Sequence, residues 1–173
     1  FDVSVSEILW WNLVGARVVM LEQGGEKEPS QISKAIEENK ITVINFAPSM
    51  LNVYLTYLKD RKKEIKKTGS LRYIFAAGEA LNIKIADTFH TLELGQGSTR
   101  LVNLYGPTEA SIYASYYNCE KGQNIIPIGK PIGNTQLYIL EGLQLCGIGI
   151  PGELCIAGDG LARGYLNLEG LTA

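Results

Sequence analysis

From residue 17 to residue 104, short apolar runs rich in Val, Ile and Phe alternate with longer segments whose apolar residues recur at helical spacing. Alternation of this kind builds a parallel sheet, because each strand returning to the sheet in the same direction needs a crossover, usually a helix. Arg17–Leu21, Ile41–Phe46, Leu71–Ala76 and Leu101–Leu104 read as the strands. The helices fall before and between them. Ser4-Val5-Ser6-Glu7 fits a capping box, and Ile8, Leu9, Trp11, Leu13 and Val14 suit a buried helix that Gly15 ends. Ser30 can cap a helix running to about Asn39. Pro48-Ser49 opens another, with Leu51, Val53, Tyr54, Leu55 and Leu58 available for burial, and Ala80–Leu94 is a third. Past residue 111 the pattern turns to strands at 112–117, 135–140 and 153–157, joined by Gly and Pro turns. The expected fold class is therefore α/β. A parallel sheet with flanking helices fills 1–110 and a mostly β segment fills 111–173.

Ligands in such sheets gather beyond the carboxyl ends of the strands. Three loops lie there: Ala47-Pro48, Ala77-Gly78-Glu79 and Tyr105-Gly106-Pro107-Thr108-Glu109. The last is the strongest local signal. Gly-Pro turns the chain sharply after a strand. Thr108 can donate to a phosphate oxygen, Glu109 offers hard oxygen to Mg²⁺, and Tyr105 presents a flat face to a base. From its chemistry alone the same run reads first as a plain structural turn. The run from Gly152 to Leu166 has glycines suited to close backbone approach but by itself identifies no chemistry.

Other functions lack support. With 46% hydrophobic and 20% charged residues and a net charge of −2, the chain has no global basic bias for nucleic acid or anionic membrane. The cluster at 59–67 reads as a solvated helix end. Cys119, Cys146 and Cys155 are odd in number and lack C-x-x-C spacing, which argues against a disulfide framework or zinc and for a reducing, cytoplasmic setting. No apolar run approaches the roughly 18 residues of a membrane span. His90, the single histidine, has no nucleophile elbow near it and reads as a surface or half-buried residue. Gly95-Gln96-Gly97-Ser98 is a loop, not a dinucleotide fingerprint, and Glu37-Glu38 is a solvated helix face.

Four segments in order resemble the adenylation domains of nonribosomal peptide synthetases. Phe1-Asp2-Val3-Ser4 is similar to that family's F-D-x-S motif. Asn103–Glu109 is similar to N-x-Y-G-P-T-E, and Gly152–Leu166 to G-E-L-x-I-x-G-x-G-L-A-R-G-Y-L. Ile128–Gln136 resembles a further family segment between these two. The resemblance spans essentially the whole chain. Acyl-CoA synthetases and luciferases share the fold and the Y-G-x-T-E core, but usually not the F-D-x-S and N-T-Q segments.

The resemblance implies a fold and a chemistry. The fold is part of the large N-terminal domain of an adenylate-forming enzyme. The chemistry joins an amino acid and ATP, with Mg²⁺, to give an aminoacyl-AMP and pyrophosphate. The product passes to phosphopantetheine on a peptidyl carrier domain, beside a condensation domain. By position, Asp2 is implied to pair with the substrate's α-ammonium group. Val3, Ser6, Asn45 and Phe75 are implied to line the pocket, closed by Ala77, Leu104, Ile112 and Tyr113. Adenine is implied to lie against Tyr105, near Gly78, Glu79, Asn103 and Gly106. Thr108 and Glu109 are the implied catalytic groups, Thr108 on phosphate and Glu109 on the metal.

The chain opens on Phe1-Asp2 and stops at Leu171-Thr172-Ala173, and we expect an internal fragment. A phosphate loop with its Lys is expected upstream, and a ribose-binding Asp and the small C-terminal domain downstream. The isolated fragment is then expected to lack turnover. Glu141–Gly147 is one residue shorter than the family pattern and lacks its prolines, which bears on a turn rather than on the site. Two other readings compete, an acyl- or aryl-CoA ligase fragment and a non-catalytic binding fragment. For an acid without an α-amine, a carboxylate at Asp2 has no use. The substrate preference expected from Leu104, Ile112, Tyr113 and Phe75 is a small neutral amino acid, alanine first, although Ser6 opens space.

Overall fold

A computed structural model describes residues 2–172. Phe1, the first residue of the F-D-x-S segment, lies outside them. Proline sets the start of two helices, because its ring fixes φ near the helical value and its missing N–H is not needed there. Helix α1 spans Val3–Leu13, α2 Pro29–Asn39 and α3 Pro48–Asp60. One-turn α4 covers Lys62–Ile65, α5 runs over Ile83–Leu92, and short α6 takes Glu169–Thr172. Pro29 rather than a Ser30 cap opens α2, with extended Glu28 ahead of it. Asn82 caps α5 by accepting from the Lys84 N–H at 2.9 Å.

Strands β1 (Val43–Phe46), β2 (Tyr73–Ala76) and β3 (Arg100–Tyr105) pair in parallel in that order. The sheet then reverses. Strand β4 (Ser115–Asn118) runs antiparallel to β3, and the two-residue β5 (Lys130–Pro131) antiparallel to β4. A second, antiparallel sheet orders β7 (Gln144–Leu145), β6 (Thr135–Glu141) and β8 (Glu153–Gly158). The Glu141–Gly147 segment is the β6–β7 hairpin. It closes through Gly142-Leu143 between paired Glu141 and Gln144, with Gly142 at positive φ, so the shortened segment is a tight turn.

Register splits the parallel strands into two faces. Ile44, Ile74 and Leu101 are neighbours, as are Phe46, Ala76 and Asn103. This face meets α3 and α5, whose Leu51, Tyr54, Leu55, Leu58, Ile85, Ala86 and Phe89 complete the main core with Ile32 and Ile36 of α2. The i, i+3, i+4, i+7 spacing in α3 is the reason all four of its core residues point inward. Val53, off that stripe, is exposed. The opposite face carries Asn45, Phe75 and Val102, neighbours across the sheet, and it is α1 that lies against it.

Tyr54 and Ser33 are both fully buried, and their hydroxyls share a 3.1 Å hydrogen bond. Burial pushes the Tyr54 phenol up to about 12. The folded state thus favours the neutral phenol, whereas an unfolded tyrosine ionises near pH 10. The stability this group contributes is complete below about pH 10 and is lost as pH climbs toward 12, on the order of 2–3 kcal/mol. Denaturant midpoints measured from pH 9 to 12 should fall for the wild type and fall less for Tyr54→Phe. Parallel pH profiles would show that Tyr54 does not drive the alkaline loss.

Four expectations fail for identifiable reasons. Arg17–Leu21 forms no strand and is largely exposed. No strand of the described residues pairs with it, and Arg17 instead donates to the Asn39 carbonyl at 2.7 Å. The Ser4–Glu7 capping box does not form. Helix α1 begins earlier, at Val3, Ser6 bonds back to the Val3 carbonyl at 2.7 Å, and the Glu7 side chain reaches Asn45 across to the sheet. Nor is α1 buried. Its apolar residues surround the whole helix, so only one stripe can face the sheet, and Ile8, Leu9 and Leu13 stay exposed. The strand expected over 112–117 begins only at Ser115, because Ser111 and Ile112 both have positive φ.

Candidate functional site

The site lies beyond the carboxyl ends of β1, β2 and β3, between those strand ends and α1. A stripe on α1 at i, i+3, i+4, i+7 faces the sheet. Within it Glu7 accepts from the Asn45 amide at 3.1 Å, and Trp10 stacks on Phe75 with ring centroids 5.5 Å apart. Asn45 and Phe75 are directly paired across β1 and β2, and Leu104 follows from β3 on the same face. Asn45 Oδ1 is buried and has no hydrogen-bond partner among the described residues. An entering group therefore meets an acceptor there.

Tyr113 closes this space. Its phenol lies beside Ser6 and Asn45, and burial, with the carboxylates of Glu7 and Asp2 nearby, holds it above the ordinary tyrosine range. The structure thus brings Ser6, Asn45, Tyr113 and Glu7 to one place, with the Asp2 charge acting on Tyr113. Ile112 sits at φ 79°, rare for a β-branched residue, directly after Ser111 at φ 58°. Such backbone is held only where surrounding contacts dictate it. One of those contacts is the Ala114 N–H to the Tyr105 carbonyl at 2.8 Å. Gly106 permits it, since a Cβ there would lie 2.4 Å from the Ile112 carbonyl oxygen.

The loops around the strand ends interlock. Glu79 accepts from the Ser49 N–H and the Ser49 hydroxyl, both at 3.0 Å, joining the 77–79 loop to the start of α3. Ala77 is buried there, while Gly78 is exposed at φ 89°. Asn103 is buried in β3, and its amide donates to the Pro127 carbonyl at 3.0 Å. It thereby ties the strand to the segment leading into β5. Tyr105 is half-buried. After Pro107 a short 3₁₀ turn, Thr108–Ala110, carries Thr108 and Glu109 to the surface.

Glu109 is held from a distance in sequence. The Tyr165 hydroxyl donates to its Oε1, the Ala162 N–H reaches its carbonyl at 2.8 Å, and Ser111 donates to the Gly160 carbonyl at 2.6 Å. The Tyr165 hydroxyl holds the Glu109 carboxyl below its usual range, and that bond raises the Tyr165 phenol in turn. The two glycine-containing motifs of the sequence therefore form one structural unit. Sequence reasoning missed Glu7, Trp10 and Tyr165 as parts of this region. Glu7 and Trp10 carried a usable signal, their spacing from Val3 along one helix face.

Charge on the turn suits a cation that also binds phosphate. Among the described residues no group of three or more His, Cys, Asp or Glu could cage a metal. Magnesium commonly takes only one or two carboxylates and completes its shell with water and phosphate oxygens. An exposed carboxylate with one lone-pair site used by a hydroxyl retains sites for that role. Elsewhere, Cys119 is buried, which pushes its thiol up to about 11, and it belongs to the core. His90 is half-buried, edge-on to Phe89. Among the described residues no helix is long and apolar enough to cross a membrane.

A family model described as "AMP-binding enzyme" matches residues 1–166. The chain belongs to that family. Its relatives among the AMP-binding enzymes include a mycosubtilin synthase polypeptide of Bacillus subtilis, 50% identical over 177 residues, a match that covers 100% of this chain and 7% of that protein. Zwittermicin A synthase ZmaJ of Bacillus cereus is 44% identical over 178 residues, covering 100% of this chain and 34% of that one. The chain thus spans a minor part of these relatives' length. In three dimensions it is similar to a nonribosomal peptide synthetase, FmoA3, solved in an α-methyl-L-serine-AMP-bound form. The TM-score is 0.89 at 26% identity, over 100% of this chain and 20% of that one. The α/β fold, with its mixed sheet, is that of this family.

Proposed function

We propose that the chain is part of an amino-acid adenylating ligase of nonribosomal peptide synthesis. Residues 1–110 form its α/β core and 111–173 a mostly β segment. The observation that carries the reading is the convergence of Ser6, Asn45 and Tyr113 beside the carboxyl ends of the strands, within reach of the Asp2 charge and next to the turn that exposes Thr108 and Glu109. A carboxylate beside a half-buried polar and aromatic pocket suits a ligand with a cation and a modest side chain.

In this reading a carboxylate oxygen of the amino acid attacks the α-phosphorus of ATP. A new P–O bond forms, the bond from the α-phosphorus to the bridging oxygen breaks, and pyrophosphate leaves. Asp2 holds the α-ammonium group. Val3, Ser6, Asn45 and Phe75 shape the side-chain pocket together with Ala77, Leu104, Ile112 and Tyr113. Tyr105 offers its ring to adenine beside Gly78, Glu79, Asn103 and Gly106, and Thr108 donates to phosphate. Positioning of the two reactants in this way is worth several orders of magnitude in rate. Glu109 is the residue that would hold Mg²⁺, which supplies charge neutralisation on the phosphates when bound. The aminoacyl-AMP then passes to phosphopantetheine on a carrier domain, whose neighbours include a condensation domain.

The preferred substrate in this reading is a small neutral α-amino acid, because Phe75 and Tyr113 occupy volume. Amino-acid-dependent pyrophosphate exchange, run as a panel on a complete enzyme carrying this segment, tests both points. Alanine is expected to lead. Leucine or tyrosine in front would refute the pocket volume, and no exchange with any amino acid would refute the activity.

A further inference from the structure

The contact between Tyr165 and Glu109 spans 56 positions of sequence and serves no evident purpose in the core, since both side chains are exposed. It does not stand alone. The turn at 158–165 also holds the Thr108–Ser111 turn, through the Ala162 N–H to the Glu109 carbonyl and the Ser111 hydroxyl to the Gly160 carbonyl. Gly160 lies so close that a Cβ would be 3.0 Å from the Ala110 oxygen. These two bonds, one between backbones and one from the Ser111 hydroxyl, fix where the turn sits. The Tyr165 hydroxyl fixes where the Glu109 carboxylate points.

We propose that Tyr165 is a positioning residue for Glu109: its hydroxyl holds Oε1 and so presents the other carboxylate oxygen to the magnesium ion carried by ATP. This rests on the reading of Glu109 as the metal-holding residue. A free glutamate side chain on an exposed turn samples several rotamers, and metal binding must freeze them. A hydroxyl that has already selected one orientation removes part of that cost, and a charge-assisted bond is strong enough to do so. Tyr165 itself touches neither metal nor substrate.

Binding to the full-length enzyme provides the test. Titration calorimetry should show Tyr165→Phe binding Mg·ATP about threefold to tenfold more weakly, with the affinity for ATP in the presence of a chelator unchanged and the thermal midpoint unchanged. In a Glu109→Gln background the same substitution should add nothing, because the charge that Tyr165 orients toward the metal is gone. Unaltered Mg·ATP affinity in Tyr165→Phe, while Glu109→Gln alone weakens it, overturns the proposal and leaves the role of Glu109 standing. Equal weakening with and without magnesium, or a lowered thermal midpoint, also overturns it by making Tyr165 a packing residue. If Glu109→Gln binds Mg·ATP like the wild type, the reading of Glu109 falls and this inference with it.

Discussion

Glu109→Gln, in a complete enzyme carrying this segment, is expected to slow amino-acid-dependent pyrophosphate exchange by about 10²–10³, the usual effect of losing one charge-stabilising contact at a reacting phosphate. Pro107 and the 3₁₀ turn bring this carboxylate to the surface beside Thr108. Glutamine keeps the length of the side chain, and its amide oxygen can still accept from Tyr165. The bonds from the Ala162 N–H and the Ser111 hydroxyl do not involve the Glu109 side chain. The substitution therefore removes a charge and little else, so the thermal midpoint should hold while the rate drops. The deficit should be greatest at limiting Mg²⁺. Wild-type exchange at limiting Mg²⁺ would show that Glu109 does not serve the metal.

Asp2→Asn should reduce kcat/KM for amino acids by about 10²–10³, far more than for their des-amino analogues, because an ammonium group left without its counter-charge away from water loses several kcal/mol. Asp2 stands at the N-terminal end of α1, where it makes no capping bond with its side chain. Its charge is instead felt at Tyr113 and Glu109. Kinetics with paired substrates separate the two roles open to it. A selective loss for amino acids marks recognition of the ammonium group. An equal loss for both substrates marks a structural acid at a helix end, and undiminished use of des-amino acids with no preference for amino acids favours an acyl- or aryl-CoA ligase.

Much of the fold was legible because the forces behind it are local. The stripe Leu51, Tyr54, Leu55, Leu58 dictates both a helix and its buried face. Runs such as Ile41–Phe46 and Leu71–Ala76 dictate strands, and helices between them dictate parallel pairing. Pro29, Pro48 and the Gly106-Pro107 turn mark where elements begin and end. The local rules failed where a partner decides the outcome. Arg17–Leu21 has strand-like residues but no strand of the described residues beside it. Glu7 has the spacing for a capping box, yet Asn45 across the sheet takes its side chain. The apolar residues of α1 promise burial, but only one stripe of a helix can meet a flat sheet.

Sequence by itself determined the class of fold and the loops in which chemistry could sit, since periodicity and turn residues act within a few positions. Only the tertiary structure decided which side chains meet. Parallel register set Asn45 beside Phe75, and α1 then laid Glu7 and Trp10 across them. The reversal from β3 to β4 forced Ser111 and Ile112 into positive φ and brought Tyr113 over Ser6. The long return from β6 through β8 placed Tyr165 on Glu109. No pattern along the chain announces such meetings, because their stability comes from contacts between segments tens of residues apart and exists only once the sheet has formed.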